Sequence, residues 1–283
     1  MEIQANAKLN LTLDVLGRRP DGYHEMRMIM QSIALADDLT LKPTGDGELR
    51  VQTDLHFLPN GEKNLAAQAA LRFWEALGGT RKGLSISIQK HIPVCAGMAG
   101  GSSDASAVLR ALNTMEGGPF SIQELARIGE KVGSDVPYCV LGGTALAEGR
   151  GEVLTPLPPL PPCWVVVCKP EFSISTPALF AQIDSVKLRC HPDTQGAISA
   201  LEEGDLKGVA RRLYNVFEDV LPERQRTRVL DIKNVLIQCG ALGASMSGTG
   251  PTVFGLFEDL ERAREAYLQL QEYGRETFLT RTV

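Results

Sequence analysis

One stretch of the chain has the residue types of an anion-binding loop. It runs from Pro93 through Gly97 to Ser103 and passes without a break into an alanine- and leucine-rich segment. Glycine allows backbone N–H groups to turn toward a ligand where a Cβ would obstruct or strain the chain. A helix after the loop adds the unpaired amides and the positive dipole end of its N-terminus. We therefore expect an anion site, with nucleotide phosphates as the first candidate ligand. A tight turn capped by Ser102 or Ser103 is the alternative.

The spacing of the glycines excludes two common nucleotide-binding folds. The loop lacks the lysine of the GxxxxGK[ST] pattern, and Gly97 is followed by Gly100 and Gly101, which breaks the GxGxxG pattern. The alternating segment from Leu84 to Gln89 predicts a strand that leads into the loop. The loop is therefore expected where a strand passes into a helix.

Two polar residues near the N-terminus, Lys8 and Asn10, share one face of a predicted strand. From Ala7 to Val15 apolar and polar residues alternate, the period-two pattern of a half-buried strand. A cation and an amide side by side could serve a binding site, or they could be polar side chains facing water. The pattern alone leaves both interpretations open.

Tyr23 and His24 follow directly on a turn at Pro20–Gly22, whose residue types are typical of turns. An aromatic ring and a histidine in this position could stack on a base and hydrogen-bond to its edge. They could equally pack the turn against the rest of the protein.

Asp135 is a candidate general base. Because Pro137 disfavours helical geometry at Val136, we expect Asp135 to lie in a turn that leaves helical geometry and Tyr138–Ala147 to form a strand. An Asx turn or a helix cap is the alternative role for this carboxylate.

Composition narrows the class of protein. The chain has 283 residues, of which 43% are hydrophobic and 22% charged, and a net charge of −5. This charge disfavours broad nucleic-acid binding, which needs a basic surface. The sequence contains no apolar run long enough to span a bilayer and no export signal pattern. The six cysteines are scattered and are expected to be reduced thiols in a cytoplasm, and the histidines have no metal-ligand spacing.

The rest of the chain suggests two halves. The proline-dense segment Thr155–Pro162 is predicted to connect them. Gly243–Thr252 is a second Gly/Ser-rich cluster, expected to form a loop, and a plain hairpin loop is the alternative to a binding role. Two such clusters suggest that both line one cleft. Further helices are predicted at 64–77, 122–132, 176–183, 194–203, 205–212, 223–239 and 260–273, and further strands at 28–36, 39–42, 164–168 and 253–257.

Three motifs in this order resemble those of the galactokinase–homoserine kinase–mevalonate kinase–phosphomevalonate kinase (GHMP) superfamily. They are a lysine strand at Ala7–Leu11, a PxxxGLxSS-type phosphate loop at Pro93–Ser103 and a late glycine- and serine-rich loop at Gly243–Thr252. The resemblance implies an α+β fold with two domains around a central cleft. A ribosomal protein S5-like, ATP-binding domain would span residues 1–153, and a ferredoxin-like domain residues 156–283.

Two further motifs, Gly17–His24 and Gly133–Pro137, resemble one branch of this superfamily. Its members phosphorylate the 2-hydroxyl of a cytidine-diphosphate-linked methylerythritol in non-mevalonate isoprenoid synthesis. The phosphate loop departs from the pattern of that branch, because Cys95 and Ala99 stand where glycine is usual and Met98 where leucine is usual. The added methyl groups could tighten the loop or alter nucleotide affinity.

The resemblance implies that the ATP triphosphate lies on the loop and on the helix N-terminus, with Mg²⁺ bridging phosphate oxygens and its protein ligands unidentified. The residues implied to bind the nucleotide are Pro93, Gly97, Met98, Ala99, Gly100, Gly101, Ser102 and Ser103.

The remaining implied roles concern catalysis and the acceptor. Asp135 would accept or orient the hydroxyl proton, and Lys8 would stand between Asp135 and the γ-phosphate, keeping the carboxylate ionised. Asn10 would reach the same site. Cytosine would be held by Tyr23 and His24 with Phe180, or alternatively Phe172, closing the stack, and the erythritol or diphosphate end by Ser247, Gly248 and Thr249.

Other functions remain open on the sequence. Another GHMP small-molecule kinase, for mevalonate or homoserine, would share the phosphate loop but would have no cytosine to hold. A catalytically silent nucleotide-binding protein would share the fold, although Lys8 and Asp135 disfavour it, and RNA binding rests on fold analogy alone. We expect a small-molecule enzyme in the cytoplasm, monomeric or homodimeric, with no nucleic-acid or membrane partner.

Overall fold

A computed structural model describes residues 1–79, 81–274 and 276–283. Within these ranges α-helices and strands are mixed, and two short 3₁₀ helices lie at Gly61–Lys63 and Val216–Val220. The strands are β1 (Glu2–Arg18), β2 (His24–Thr44), β3 (Leu49–Thr53), β4 (Gly83–Gln89), β5 (Thr144–Gly149), β6 (Val153–Pro156), β7 (Trp164–Lys169), β8 (Tyr214–Asn215), β9 (Gly243–Met246), β10 (Val253–Phe257) and β11 (Glu276–Arg281). The α-helices are α1 (Leu65–Ala76), α2 (Gly100–Met115), α3 (Ile122–Glu130), α4 (Val136–Leu141), α5 (Thr176–Ser185), α6 (Thr194–Glu202), α7 (Leu206–Ala210), α8 (Glu223–Gln238) and α9 (Leu260–Leu270).

The chain forms two compact units, each built from separate stretches. Unit 1 comprises Met1–Ala7, Leu35–Ile92 and Ala99–Gly142, and unit 2 comprises Lys8–Ala34, Pro93–Met98 and Gly143–Val283. Strands β1 and β2 therefore each contribute residues to both units. The residue limits of the two domains, 1–153 and 156–283, stay a prediction.

Unit 1 is a helix-on-sheet layer. Strand β4 lies between β3, to which it is parallel, and the second half of β2, to which it is antiparallel. Helices α1 and α2 pack against each other, and small residues on both, such as Ala69 and Ala107, are fully buried in the same core. Phe73 fills the core, and Asn64 caps α1 by accepting a hydrogen bond from the Ala66 amide at 2.9 Å. The phosphate-loop helix α2 is therefore held on a packed layer.

Unit 2 contains two groups of strands. In one, β8 is parallel to β1, and β5 pairs antiparallel with both β2 and β6. In the other, the order is β11-β7-β10-β9 and every neighbouring pair is antiparallel. The central strand β7 has Val165–Cys168 with no exposed surface. The continuous apolar run that the sequence shows there is therefore explained by burial on both faces.

Strand β1 differs from its prediction, because both of its faces are buried. The exposed fractions are 4% for Lys8, 1% for Asn10, 1% for Thr12 and 5% for Asp14. The strand is therefore not half-buried, and the interpretation of its polar residues as side chains facing water is wrong. Buried polar side chains need partners, and Lys8 and Asn10 find theirs beside the phosphate loop.

Strand β2 runs without a break through Asp37, where the sequence predicts two strands, 28–36 and 39–42. The Asp37 carboxylate remains inside the strand because its Oδ1 accepts the amides of His91 at 2.6 Å and Ile92 at 2.8 Å. A buried charge that looks like a strand break in the sequence is thus satisfied by neighbouring backbone.

Asp135 lies in a turn as predicted, but its backbone does not leave helical geometry, and the residues after it do not begin a strand. Asp135 has helical angles (φ −84°, ψ −12°) and stands at the N-cap of α4, with Pro137 in the first turn. Proline is tolerated there because the first-turn amides have no intrahelical acceptor. Tyr138–Leu141 is therefore helical, and the predicted strand begins only at Thr144.

The other predicted elements are confirmed with shifts of a few residues at their ends, except that the first part of the Gly243–Thr252 cluster is strand β9. The loop is thus confined to residues 247–252, between β9 and β10. No helix in the described ranges has the length and apolarity needed to cross a bilayer.

Candidate functional site

The phosphate loop of unit 2 makes a backbone contact that requires glycine. Gly97 has φ +76°, and a Cβ added to it would lie 2.1 Å from the carbonyl oxygen of Ser247. Any side chain at this position would therefore collide with the backbone between β9 and β10. Cys95 also has a left-handed backbone, with φ 52°, a conformation that costs a non-glycine residue about 1–2 kcal/mol.

The carbonyl oxygen of Gly97 is a shared acceptor. It receives the Lys8 ammonium at 2.9 Å and the Ser247 hydroxyl at 3.0 Å. The same ammonium donates to Asn10 Oδ1 at 2.7 Å. Since Lys8 is buried, these acceptors hold its charge in a fixed place. The structure thus brings together four of the predicted site residues, namely Lys8, Asn10, Gly97 and Ser247.

Further hydrogen bonds fix the loop between β9 and β10. The backbone amide of Asn10 donates to Ser247 Oγ at 3.2 Å. The side-chain amide of Asn215 donates to the carbonyls of Met246 and Gly248, each at 2.8 Å. The Thr249 hydroxyl lies 2.9 Å from that of Thr176. No sequence pattern marks Asn215, so reasoning from the sequence missed it.

In unit 1 the rest of the phosphate loop is the first turn of α2. Ala99, with φ 59°, is the N-cap and gives no side-chain cap. The Ser103 hydroxyl donates instead to the carbonyl of Asn6 at 2.7 Å. The alternative that Ser102 or Ser103 caps the helix is therefore wrong, since both lie within it. The amides of Gly100, Gly101 and Ser102 remain available to an anion.

A buried charge cluster lies beside this turn, also in unit 1. The Lys90 ammonium donates to Asp37 Oδ2 and, at 2.7 Å, to Asp104 Oδ2. Burial and the neighbouring Asp37 charge raise the pKa of Asp104 to about 8, against the attraction of Lys90. Burial alone would lower the pKa of Lys90, but Asp104 and Asp37 outweigh it and raise that pKa. Two carboxyl groups share one ammonium, so the pKa of Asp104 lies well above the usual range of an aspartate.

The Asp135 carboxylate is not used as a helix cap. The residue is half-buried at the start of α4, and its side chain makes no cap hydrogen bond. The alternative role as a cap is therefore wrong. Its position at a helix N-terminus is favourable for a carboxylate.

An aromatic cluster in unit 2 contains His24 and Phe180. Their rings stack at a centroid distance of 4.5 Å, and Phe217 meets Phe180 edge-on at 5.0 Å. His24 Nε2 lies 2.8 Å from Asp184 Oδ1. Phe172, the alternative partner, lines another cavity with Arg228 and Tyr273. The structure thus places Phe180, and not Phe172, against His24.

Tyr23 stands apart from this stack. Its side chain is 55% exposed, and the guanidinium of Arg150 lies over its ring at 5.2 Å from the centroid. A flat ligand therefore has one exposed aromatic face available at Tyr23. Sequence reasoning missed Arg150, and it also missed Asp184 and Phe217, although Asp184 follows Phe180 by one helical turn.

The described residues contain no group of three or more His, Cys, Asp or Glu side chains placed to hold a metal ion.

Comparison with known proteins gives consistent matches over both halves. The family model "GHMP kinases N terminal domain" matches residues 64–143, and "GHMP kinases C terminal" matches residues 197–276. A 4-diphosphocytidyl-2-C-methyl-D-erythritol kinase of Lachnoclostridium phytofermentans is 45% identical, with 99% of this chain and 97% of the relative covered. The same-named enzyme of Alkaliphilus metalliredigens is 44% identical, with 100% of this chain and 96% of the relative covered.

Similar solved structures agree with these family matches. A crystal structure of 4-(cytidine 5'-diphospho)-2C-methyl-D-erythritol kinase has a TM-score of 0.83 at 33% identity, covering 100% of this chain and 99% of that one. A homoserine kinase from Cytophaga hutchinsonii has a TM-score of 0.75 at 19% identity, covering 100% of this chain and 94% of that one. At that lower identity the second likeness concerns the fold alone. The α+β fold with two GHMP kinase domains is confirmed.

Proposed function

The chain belongs to the GHMP kinase family, and on that basis we propose that it transfers the γ-phosphate of ATP to the 2-hydroxyl of 4-diphosphocytidyl-2-C-methyl-D-erythritol. The product class is a phosphorylated isoprenoid precursor. The observation that carries the proposal is the Gly97 carbonyl, which binds the buried Lys8 ammonium and the Ser247 hydroxyl. Relatives that share this activity in their names match the whole chain at 44–45% identity.

Positioning and charge neutralisation supply most of the catalysis of phosphoryl transfer. Within unit 2, Gly97 and Met98 lead into the turn, and within unit 1 the amides of Gly100, Gly101 and Ser102 are unused by a cap. We propose that these groups, with Pro93, Ala99 and Ser103, bind the triphosphate. The helix dipole of α2 adds to the attraction.

Two residues are proposed to do the chemistry. Asp135 accepts or orients the proton of the acceptor hydroxyl, so that the oxygen can attack the γ-phosphorus and displace ADP. Lys8 stabilises the charge on the transferred phosphoryl group. Its ammonium is already held by Asn10 Oδ1 at 2.7 Å, so little reorganisation is needed when the substrates bind. Asn10 is proposed to contact the acceptor.

Mg²⁺ is the proposed cofactor and would neutralise phosphate charge when bound. Ser102, whose half-buried hydroxyl lies in the first turn of α2, is of the ligand type that Mg²⁺ prefers.

The cytidyl end of the acceptor is proposed to bind at Tyr23, His24 and Phe180, because the tyrosine ring is 55% exposed and His24 stacks on Phe180. Stacking on aromatic rings holds the plane of a base, and edge hydrogen bonds identify it. Ser247, Gly248 and Thr249 are proposed to hold the diphosphate or erythritol end. The partners are thus small molecules, the proposed location is the cytoplasm, where ATP is supplied, and the chain acts as a monomer or homodimer.

The test is ADP release with ATP, Mg²⁺ and each of three acceptors: 4-diphosphocytidyl-2-C-methyl-D-erythritol, mevalonate and homoserine. We expect turnover of the cytidyl acceptor alone. Turnover of mevalonate or homoserine would support the proposed role of the phosphate loop and would contradict the proposed cytosine pocket. ATP binding without turnover of any acceptor would indicate a catalytically silent nucleotide-binding protein.

A further inference from the structure

Asp184 contacts the edge of the His24 ring. The distance from its Oδ1 to His24 Nε2 is 2.8 Å, and the two side chains are 36% and 12% exposed. Asp184 lies on α5 one turn after Phe180, and residues with this spacing share a helix face. The same face of α5 therefore contacts the imidazole twice, through the Phe180 ring and through a carboxylate.

The two contacts fix different degrees of freedom of the ring. Phe180 stacks on it with 25° between the planes and is itself held edge-on by the fully buried Phe217. The stack sets the plane of the imidazole, whereas the carboxylate sets its rotation within that plane. The direction of the other ring nitrogen, Nδ1, follows from these two constraints. Nδ1 has no hydrogen-bond partner among the described residues.

The carboxylate also selects the tautomer. An ionised carboxylate only accepts hydrogen bonds, so Nε2 carries the proton. In the neutral imidazole Nδ1 then presents a lone pair and accepts. An acceptor at this position pairs with the exocyclic amino group of cytosine. It repels the carbonyl oxygen that uracil carries at the same ring position.

We propose that Asp184 is a positioning residue that makes the base pocket select an aminopyrimidine over an oxopyrimidine, by holding His24 in the Nε2–H tautomer. The inference rests on the proposed function, because it assumes that His24 meets the base of a cytidyl acceptor. It adds a specificity determinant that does not itself touch the substrate.

A purely structural role predicts a different outcome. An Asp–His pair that only joins α5 to β2 would, when broken, lower stability and weaken both base analogues equally. A role in tautomer selection changes the ratio between them. The ratio of kcat/KM for the cytidyl acceptor to that for its uridyl counterpart is therefore the decisive quantity.

The experiment compares wild type, Asp184→Ala, Asp184→Lys and Gln182→Ala with both acceptors. Gln182 is the matched control, because it lies on α5 half a turn away and is not part of the proposed site. In Asp184→Ala we expect the cytidyl-to-uridyl ratio to fall at least about tenfold, which is one lost discriminating hydrogen bond. The change should appear mainly in the acceptor KM, with the ATP KM unchanged. In Asp184→Lys, whose ammonium donates, we expect the ratio to fall further, toward the uridyl acceptor.

A ratio equal to that of wild type in a folded Asp184→Ala enzyme would overturn the inference. Nitrogen-15 NMR of the His24 ring, assigned with His24→Gln, gives a second readout that needs no activity. We expect an unprotonated Nδ1 in wild type, and a protonated one would overturn the inference even if turnover were absent. Failure of wild type to use the cytidyl acceptor would instead overturn the proposed function.

Discussion

At the scale of single residues, the exchange Asp135→Asn separates chemistry from binding. Asparagine has the same shape but cannot accept a proton, so we expect kcat to fall about 10²- to 10⁴-fold. ATP affinity should be unchanged, because the proposed phosphate contacts are backbone amides of the first turn of α2. ADP release and equilibrium ATP binding measure the two effects separately.

The matched control for this exchange is Asp231→Asn. Asp231 lies on α8 beside Arg228 and the separate cavity of unit 2, so we expect full turnover. An Asp135→Asn enzyme with wild-type kcat would contradict the assignment of the base.

Gly97→Ala tests the close approach of two backbones. The new Cβ would lie 2.1 Å from the Ser247 carbonyl oxygen, at a residue with φ +76°. The loop must move, so we expect a loss of more than about 2 kcal/mol in the free energy of unfolding. We also expect a lower kcat/KM, since the Gly97 carbonyl also binds Lys8. Thermal unfolding and initial rates give the two quantities.

Gly117→Ala measures the cost of a left-handed backbone alone, because Gly117 has φ +82° but no atom lies within 4 Å of its added Cβ. We expect a loss of about 1 kcal/mol and unchanged activity. Equal losses of unfolding free energy in the two variants would show that the close approach of the added Cβ to the Ser247 carbonyl oxygen has no cost.

Among single residues, those on a regular pattern were predictable and those held by tertiary contacts were not. The alternation along β1 is enough to place Lys8 and Asn10 on one face, and their side chains do touch, at 2.7 Å. Nothing in the sequence near Asp184 or Asn215 indicates their partners. His24 is 160 residues from Asp184 in the chain, and such a pairing depends on the whole fold.

At the scale of elements, the buried cluster of Asp37 on β2, Lys90 just after β4 and Asp104 on α2 predicts that the free energy of unfolding depends on pH. The pKa of Asp104 is about 8 in the folded chain, raised by burial and Asp37 from 3.8. Between about pH 4 and 8 the folded state holds a proton that the unfolded state has lost. The free energy of unfolding therefore falls as pH rises through this interval. Chemical denaturation at several pH values measures it.

Asp104→Asn should remove most of this slope. The amide resembles the protonated carboxyl, does not titrate and can donate to Asp37, so we expect near-wild-type stability at pH 5 and higher stability than wild type at pH 8. The control is Asp46→Asn, since the exposed Asp46 has a pKa lowered to about 2 by hydrogen bonds from Thr44 and Glu48 and by Arg50. Its contribution is lost only as pH falls toward 2. An unchanged slope in Asp104→Asn would contradict the protonated state of Asp104.

Helices and strands are predictable where the period of the apolar residues and the length of the segment indicate the same element. They are not predictable where a proline or a buried charge is an exception to the usual rule. Helices α1 and α8 and strand β7 lie within a few residues of their predicted ends. The sequence rule that proline ends helical geometry fails at Pro137, because this residue lies in the first turn of α4, where proline is tolerated. The sequence around Asp37 predicts a strand break, because its partners, the three residues that follow β4, are distant in sequence.

At the scale of the whole molecule, the reactivity of the cysteine thiols should show whether ATP binds at the phosphate loop. Of the six free cysteines, only Cys95 and Cys190 are exposed. Burial raises the pKa of the Cys163 thiol to about 11 and also raises those of Cys168 and Cys239, so these three should react slowly. We expect brief treatment with N-ethylmaleimide to modify Cys95 and Cys190, as measured by peptide mass spectrometry.

ATP with Mg²⁺ should protect Cys95, which lies inside the proposed triphosphate loop, and leave Cys190 unprotected as the internal control. Equal protection of both thiols would indicate a general tightening of the chain. Equal modification of Cys95 with and without ATP would contradict the placement of the nucleotide.

The shared acceptor at Gly97 has a consequence for biosynthesis. Its two donors lie 89 and 150 residues away in the chain, so both contacts close long loops of the chain. On the ribosome, Lys8 and Gly97 emerge long before Ser247, and the buried ammonium lacks its complete surroundings until the segment with Ser247 has left the exit tunnel. A nascent chain stalled before that segment should therefore be unable to turn over ATP, whatever structure its earlier segments have reached.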